Sequence, residues 1–150
     1  MEFKVPHALK VEHDQLHHDL TLAIESGGQT GTAAQVVADA LHAHFDGEEK
    51  YALQPLGLLP AIAEGKITPE MAQVLELTDT LKAEMPRMLE EHQVIVDALK
   101  QLIAAAKQEG KLQHADFAEK LMLHAQSEEE VAYPAALVMG EYLKLKLGRA

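Results

Sequence analysis

The chain has 150 residues, nine histidines, no cysteine and a formal net charge of -11. That length suits a single domain with a real core, and the lack of cysteine excludes disulfides, thiolate zinc sites and iron–sulfur clusters. The acidic balance argues against nucleic acid or an anionic membrane surface as a partner, because both require a basic face.

Residues that lose little rotamer freedom in a helix (Ala, Leu, Glu, Gln, Lys, Met) are abundant and aromatics make up only 4%, so an all-α protein is expected. The start has no basic stretch leading into an apolar one. No run approaches the roughly 18 apolar residues of a spanning helix, which points to a soluble, cytoplasmic protein without a membrane partner.

In chain order, a first helix is predicted from Pro6, which suits a first helical turn, to Gly27-Gly28. A second follows Thr30 or Thr32 as N-cap and runs through His44 and Glu48 to Leu53, where Pro55 ends or kinks it. Pro55 to Gly65 reads as an apolar, irregular or short helical connection packed against the end of the fold. Its Leu56 to Ile62 stretch is a candidate dimer contact. Thr68-Pro69-Glu70 has the cap hydroxyl, proline and acid of a helix start. Helical periodicity continues from there to Glu109-Gly110, interrupted by Pro86, as one kinked helix or two. The last helix starts between Lys111 and Asp116, passes His124 and Glu128, kinks at Pro134, and ends near Leu147.

Two short patterns stand out: His44-x-x-x-Glu48 and His124-x-x-x-Glu128, each followed by a second acid (Glu49, Glu129) and then by a Tyr and a Pro. Residues four apart share a helix face, so each pattern presents an imidazole beside a carboxylate. Glu12-His13 and Glu91-His92 repeat at a spacing of 79, and the two His-x-x-x-Glu patterns at a spacing of 80. The chain therefore reads as two similar hairpins, about 6–55 and about 68–147, joined by 56–67. Pairing them gives an up-down-up-down four-helix bundle that forms one domain over 1–150. In such a bundle, residues equidistant from a turn share a height. The midpoints of His13/His44, His44/His92 and His92/His124 fall at Gly28, Thr68 and Gln108, all on turn or cap signals.

Four imidazoles and two carboxylates meeting inside a bundle must be paired or coordinated, since buried charge is costly alone. This donor set suits iron, manganese or zinc rather than calcium or magnesium. If Glu48 and Glu128 both bridge, the six residues fill eight of the twelve positions of two octahedral ions held about 3.5–4 Å apart. An oxo or hydroxo bridge takes two more and leaves two for a small ligand. His17, one turn from His13, is a candidate additional ligand that would leave one.

The order His13, His44-x-x-x-Glu48, His92, His124-x-x-x-Glu128 resembles the signature of the hemerythrin-like (HHE cation-binding) domain family, over roughly Pro6 to Pro134. The resemblance implies a four-helix bundle with a non-haem di-iron centre carrying a bridging oxo or hydroxo group. His13, His44, Glu48, His92, His124 and Glu128 would be its ligands. It also implies binding of dioxygen, peroxide or nitric oxide. Invertebrate oxygen carriers of that family differ at two places: Val96 stands where they have a second third-helix His, and Glu128 follows its His by four where they have an Asp at five.

Among the remaining residues, Glu49 and Glu129 are expected toward solvent or behind the ligands. Tyr51 is expected as a core residue on the face of the site, and the mid-helix Gly47 as a mark of close backbone approach or of room near the metals. His7, His18, His42 and His114 read as surface or lightly packed, and the Met residues as core filler. The first functional reading is a metal-binding protein whose di-iron centre takes up dioxygen or a related small ligand for sensing, delivery or storage. The alternative is a di-iron enzyme handling peroxide or nitric oxide. A third is zinc or manganese bound structurally.

Overall fold

The computed structural model describes residues 1–149. Every regular element among them is helical, and no helix is long and apolar enough to cross a membrane. Continuous helical stretches run over 7–25, 28–63, 69–108 and 112–146. The first is α1 (His7–Glu25) and the second begins with α2 (Gly28–Gly47). After α2 come a π turn (Glu48–Leu53), a 3-10 turn (Gln54–Leu58) and the short α3 (Leu59–Ala63). A 3-10 turn (Pro69–Val74) leads into the 34-residue α4 (Leu75–Gln108). The last stretch is α5 (Leu112–Ser127), a second π turn (Glu128–Ala132) and α6 (Tyr133–Lys146).

The turns explain where the helices stop. Gly27 takes a φ of 71°, a left-handed conformation open to a residue without Cβ, and α2 starts directly after it. Gly110, also at 71°, closes α4. The amide of Lys111 reaches back to Ala106 and that of Gly110 to Lys107, the paired bonds of a Schellman ending.

Neither Thr30 nor Thr32 caps α2. The cap comes from far along the chain, where the Glu109 carboxylate accepts from the amides of Gln29 (3.1 Å) and Thr30 (2.8 Å) and from the Thr30 hydroxyl (2.5 Å). The Lys111 ammonium makes the reciprocal contact, donating to the carbonyls of Ser26 and Gly27 at 2.8 and 3.0 Å. An anion thus sits at a helix N-terminus and a cation beside a helix C-terminus, each the favourable sign for the local dipole.

α4 is one helix, passing Pro86 without a break. Pro86 and Lys82 are both exposed, so water can satisfy the Lys82 carbonyl that the proline leaves unbonded. Pro55 and Pro134 are handled differently. Each would meet a carbonyl four residues back, and a π turn immediately precedes the point where each sits. The turns are closed by Gln54 N–H to the Glu49 carbonyl and Tyr133 N–H to the Glu128 carbonyl, both five residues back.

Buried apolar side chains form three clusters. One includes Leu20, Val37, Ile95, Leu99, Phe117 and Leu121. The second includes Tyr51, Leu53, Leu81, Met88 and Tyr133, and the third Met71, Val74, Met139 and Leu143. The Leu56 to Ile62 stretch spends its apolar side chains on the second and third of these clusters. The level between the first two clusters is polar. His44 lies between Leu41 and Tyr51 in the chain, His92 between Met88 and Ile95, and His124 between Leu121 and Tyr133.

Candidate metal centre

That polar level is where the histidines meet. His13 projects from α1, His44 from α2, His92 from α4 and His124 from α5, while Glu48 and Glu128 are the first residues of the two π turns. Five of the six are buried, from 2% exposed at His92 to 6% at His13, and His124 is half-buried. The imidazoles form two pairs, with Nε2 of His13 3.0 Å from Nε2 of His124, and Nε2 of His44 3.0 Å from Nε2 of His92. Ring nitrogens held that close need a proton or a cation between them.

The carboxylates lie across the two pairs. Glu48 sets Oε1 4.0 Å from His13 Nε2 and Oε2 3.2 Å from His44 Nε2. Glu128 sets Oε2 3.5 Å from His13 and 3.3 Å from His124, and Oε1 3.7 Å from His92. Two groupings could each hold a metal ion: His13, Glu48, His124 and Glu128 in one, and His44, Glu48 and His92 in the other. Glu48 is common to both.

The donor chemistry fits a metal in a further respect. Glu48 Oε1, Glu128 Oε2 and His44 Nδ1 are buried without a hydrogen-bond partner. Bare carboxylate oxygens in a dry interior cost about 1–3 kcal/mol each, so a cation among them is the expected complement. Burial opposes ionisation of Glu48, but the hydrogen bond from His44 and the nearby His13 and His92 outweigh it and hold the carboxyl below its usual range. Burial, then the neighbouring His44, pushes the pKa of His92 down; burial, then His13, does the same to His124. Neutral imidazole is the form that ligates metals.

Behind the rings lie acids that fix their orientation. Glu129 Oε1 is 3.0 Å from His92 Nδ1, and Glu12 is hydrogen-bonded to His124 Nδ1. Glu91 Oε1 stands 3.6 Å from His44 Nδ1, too long for a hydrogen bond, and is itself held by Arg87 at 3.0 Å. Acceptors at Nδ1 place the ring proton there and turn the Nε2 lone pair inward. Glu49 does not share this role; it pairs with Lys10 at 3.2 Å.

Sequence reasoning missed Glu12 and Glu91 as partners of histidines, although the repeated Glu-His pair was in view. Adjacent helical residues point about 100° apart, so Glu12 cannot back His13; it serves His124 on a neighbouring helix instead, and Glu91 stands near His44 without a hydrogen bond to it. The tyrosine at the site is Tyr133, not Tyr51. Its hydroxyl lies 3.1 Å from His92 Nε2 and 3.3 Å from His44 Nε2, and its side chain is fully buried. Burial, with Glu48 next to it, pushes its phenol far above the ordinary value, so it keeps its proton.

Tyr51 is buried in the second cluster, and its hydroxyl accepts from Arg87 at 2.8 Å. The space at Gly47 is filled by Tyr51 and not by the centre: a Cβ there would lie 2.6 Å from the Tyr51 hydroxyl. His17 is in neither metal grouping. It is exposed and stands edge-on to Phe45. His7, His18 and His42 are exposed as expected, whereas His114 is buried in the first turn of α5.

Above the imidazoles lies a cavity of about 30 Å³. Its walls, apart from the polar residues, are Leu16, Leu41, Phe45, Ile95, Leu121 and Ala125. In comparisons with known proteins, no family model, curated protein or solved structure matches the chain.

Proposed function

We propose that this chain is a metal-binding protein in which His13, His44, Glu48, His92, His124 and Glu128 hold two iron ions bridged by the carboxylates, and that it takes up dioxygen or a related small ligand for sensing, delivery or storage. The observation that carries the reading is the placement of the two acids. Each turns its two oxygens toward different imidazole pairs, as a bridge between two ions requires and a single ion does not. Bound iron would supply reversible redox change and open positions for a diatomic molecule. The chain supplies neutral imidazoles, acids that lock their tautomers, and an apolar space.

The size of that space favours a small ligand. One water-sized volume needs about 10–15 Å³ on the same measure, so about 30 Å³ has room for a molecule of two or three atoms. The sequence resemblance to hemerythrin-like domains supports the same reading, together with an up-down-up-down bundle of two duplicated hairpins. The spacing of 79 and 80 residues between the histidine motifs favours that duplication, as does a π turn beginning at the Glu of each His-x-x-x-Glu pattern.

The test is metal analysis with an optical spectrum. Aerobically purified protein should contain two irons per chain and show near-ultraviolet charge-transfer bands that change when the reduced protein meets oxygen. Stoichiometric zinc without such bands would sink this reading.

A second reading, an enzyme that handles peroxide or nitric oxide, is favoured by Tyr133. A phenol that keeps its proton within 3.1 Å of His92 Nε2 is a donor aimed at the centre. Peroxide turnover by the iron-loaded chain that drops in Tyr133→Phe while metal content holds would support it; no turnover would remove it.

A further inference from the structure

The small cavity over the histidines has a larger pocket beside it. That outer pocket, of about 310 Å³, lies on the seam between α1 and α2, where Gln35, Asp39 and His42 also line it. It shares His17, Leu41 and Phe45 with the inner cavity, so these side chains stand between the two. His17 is exposed although it lines the inner cavity. Its ring meets that of Phe45 edge-on at 4.7 Å and 90°, and Phe45 tilts against His13 at 5.2 Å. No side-chain hydrogen bond ties either ring among the described residues, and side chains at a surface change rotamer on the picosecond to nanosecond scale.

The opposite seam offers a comparison. A pocket of about 410 Å³ between α4 and α5 also adjoins the inner cavity, sharing His92 and Ala125 with it. His92 is held at both nitrogens, by Glu129 on one side and by His44 and Tyr133 on the other, and Ala125 has nothing to swing. That partition is tethered by hydrogen bonds, whereas the one at α1 and α2 has none among the described residues.

We infer that Phe45, with His17 against it, is the gate and size filter through which a small uncharged molecule passes from the α1–α2 seam into the inner cavity. An acidic chain with Asp39 at the outer pocket disfavours anions there, so the chemistry admitted is an apolar diatomic such as dioxygen or nitric oxide. The identity of that ligand rests on the proposed function; the route does not.

The test uses the full-length, metal-free chain with methyl-labelled Leu and Ile, and dissolved dioxygen as a paramagnetic probe. Ile95 and Leu121 report the inner cavity and Leu20 the outer pocket. Oxygen-induced relaxation at Ile95 and Leu121 should fall several-fold in Phe45→Trp and hold at Leu20. Val96→Trp, on the α4–α5 pocket, should leave Ile95 and Leu121 unchanged. Unchanged relaxation in a folded Phe45→Trp protein, or an equal loss in Val96→Trp, overturns the gate. If Phe45→Trp does not fold, Phe45→Ala decides: relaxation at the inner methyls should rise several-fold, and no rise overturns it. Because the probe needs no metal, iron analysis of the same preparation reports separately on the proposed function.

Discussion

Loading the site with metal should stabilise the fold by an amount the structure sets. Glu48 and Glu128 are 3% and 5% exposed, and one oxygen of each has no hydrogen-bond partner. At about 1–3 kcal/mol for each unsatisfied atom, these two oxygens burden the metal-free protein with about 2–6 kcal/mol. Mass action gives a comparable figure from the other direction: a ligand at 100 times its Kd that binds only the folded state adds about 2.7 kcal/mol. A chain of this size gains about 2–4 °C in Tm per kcal/mol, so ferrous iron at that level should raise Tm by about 5–11 °C. The assay is an anaerobic thermal melt followed by circular dichroism, with chelator-treated protein compared before and after iron. The Glu48→Ala/Glu128→Ala double variant should lose the rise. An unchanged wild-type Tm refutes the argument, and so does an equal rise in the double variant, because cations would then be binding to exposed acids of a chain with net charge -11.

Three other substitutions probe the surroundings of the site. Tyr133→Phe removes a buried hydroxyl 3.1 Å from His92 Nε2 and should cost about 0.5–1.5 kcal/mol of metal-free stability in urea unfolding, with no loss of helix; a neutral result would mean that the hydroxyl contributes nothing there. Gly47→Ala drives a methyl into Tyr51, and the overpacking cost of about 1–3 kcal/mol should exceed the roughly 1 kcal/mol gained in helix propensity. Gly47→Ala/Tyr51→Leu should recover that loss, and a Gly47→Ala protein more stable than wild type would contradict the packing account. Glu109→Gln tests the cap on α2: the Thr30 hydroxyl, then the amides of Thr30 and Gln29, push the Glu109 carboxyl from 4.5 down to about 2. The folded state therefore binds this proton less readily than the unfolded one, so the stabilisation is present above pH 4.5 and fades as pH falls toward 2. The variant's Tm should change less with pH across that window than the wild type's, and equal slopes would rule out this contribution.

How much of the site was legible depended on whether α-helical spacing held. From Gly28 back to His13 and forward to His44 the chain is α-helical apart from the turn. Counting outward from Gly28 therefore put His13 and His44 at one level, where the structure also brings them. From Gln108 the same count reached His92 and His124. Thr30 misled because its amide and hydroxyl find Glu109, 79 residues away, and no local pattern reports a cap supplied from so far along the chain. Glu12 and Glu91 were hidden for a related reason: their partners His124 and His44 lie on neighbouring helices, so their role needs the packing as well as the spacing.

The tyrosines show where α-helical counting fails. Counting from Glu48 at 3.6 residues per turn puts Tyr51, three residues on, on the ligand face and gives no reason to pick Tyr133, five beyond Glu128. A π turn begins at both glutamates, and its bonds close over five residues rather than four. The residue five along then takes the place above the carboxylate, which brings the Tyr133 hydroxyl to the imidazoles while Tyr51 turns away to Arg87. The prolines that follow, Pro55 and Pro134, lack the amide that would extend regular α-helix through these points. A proline usually read as a helix stop thus coincides here with a change of helical pitch, and that change decides which side chain shares the buried level with Glu48 and Glu128.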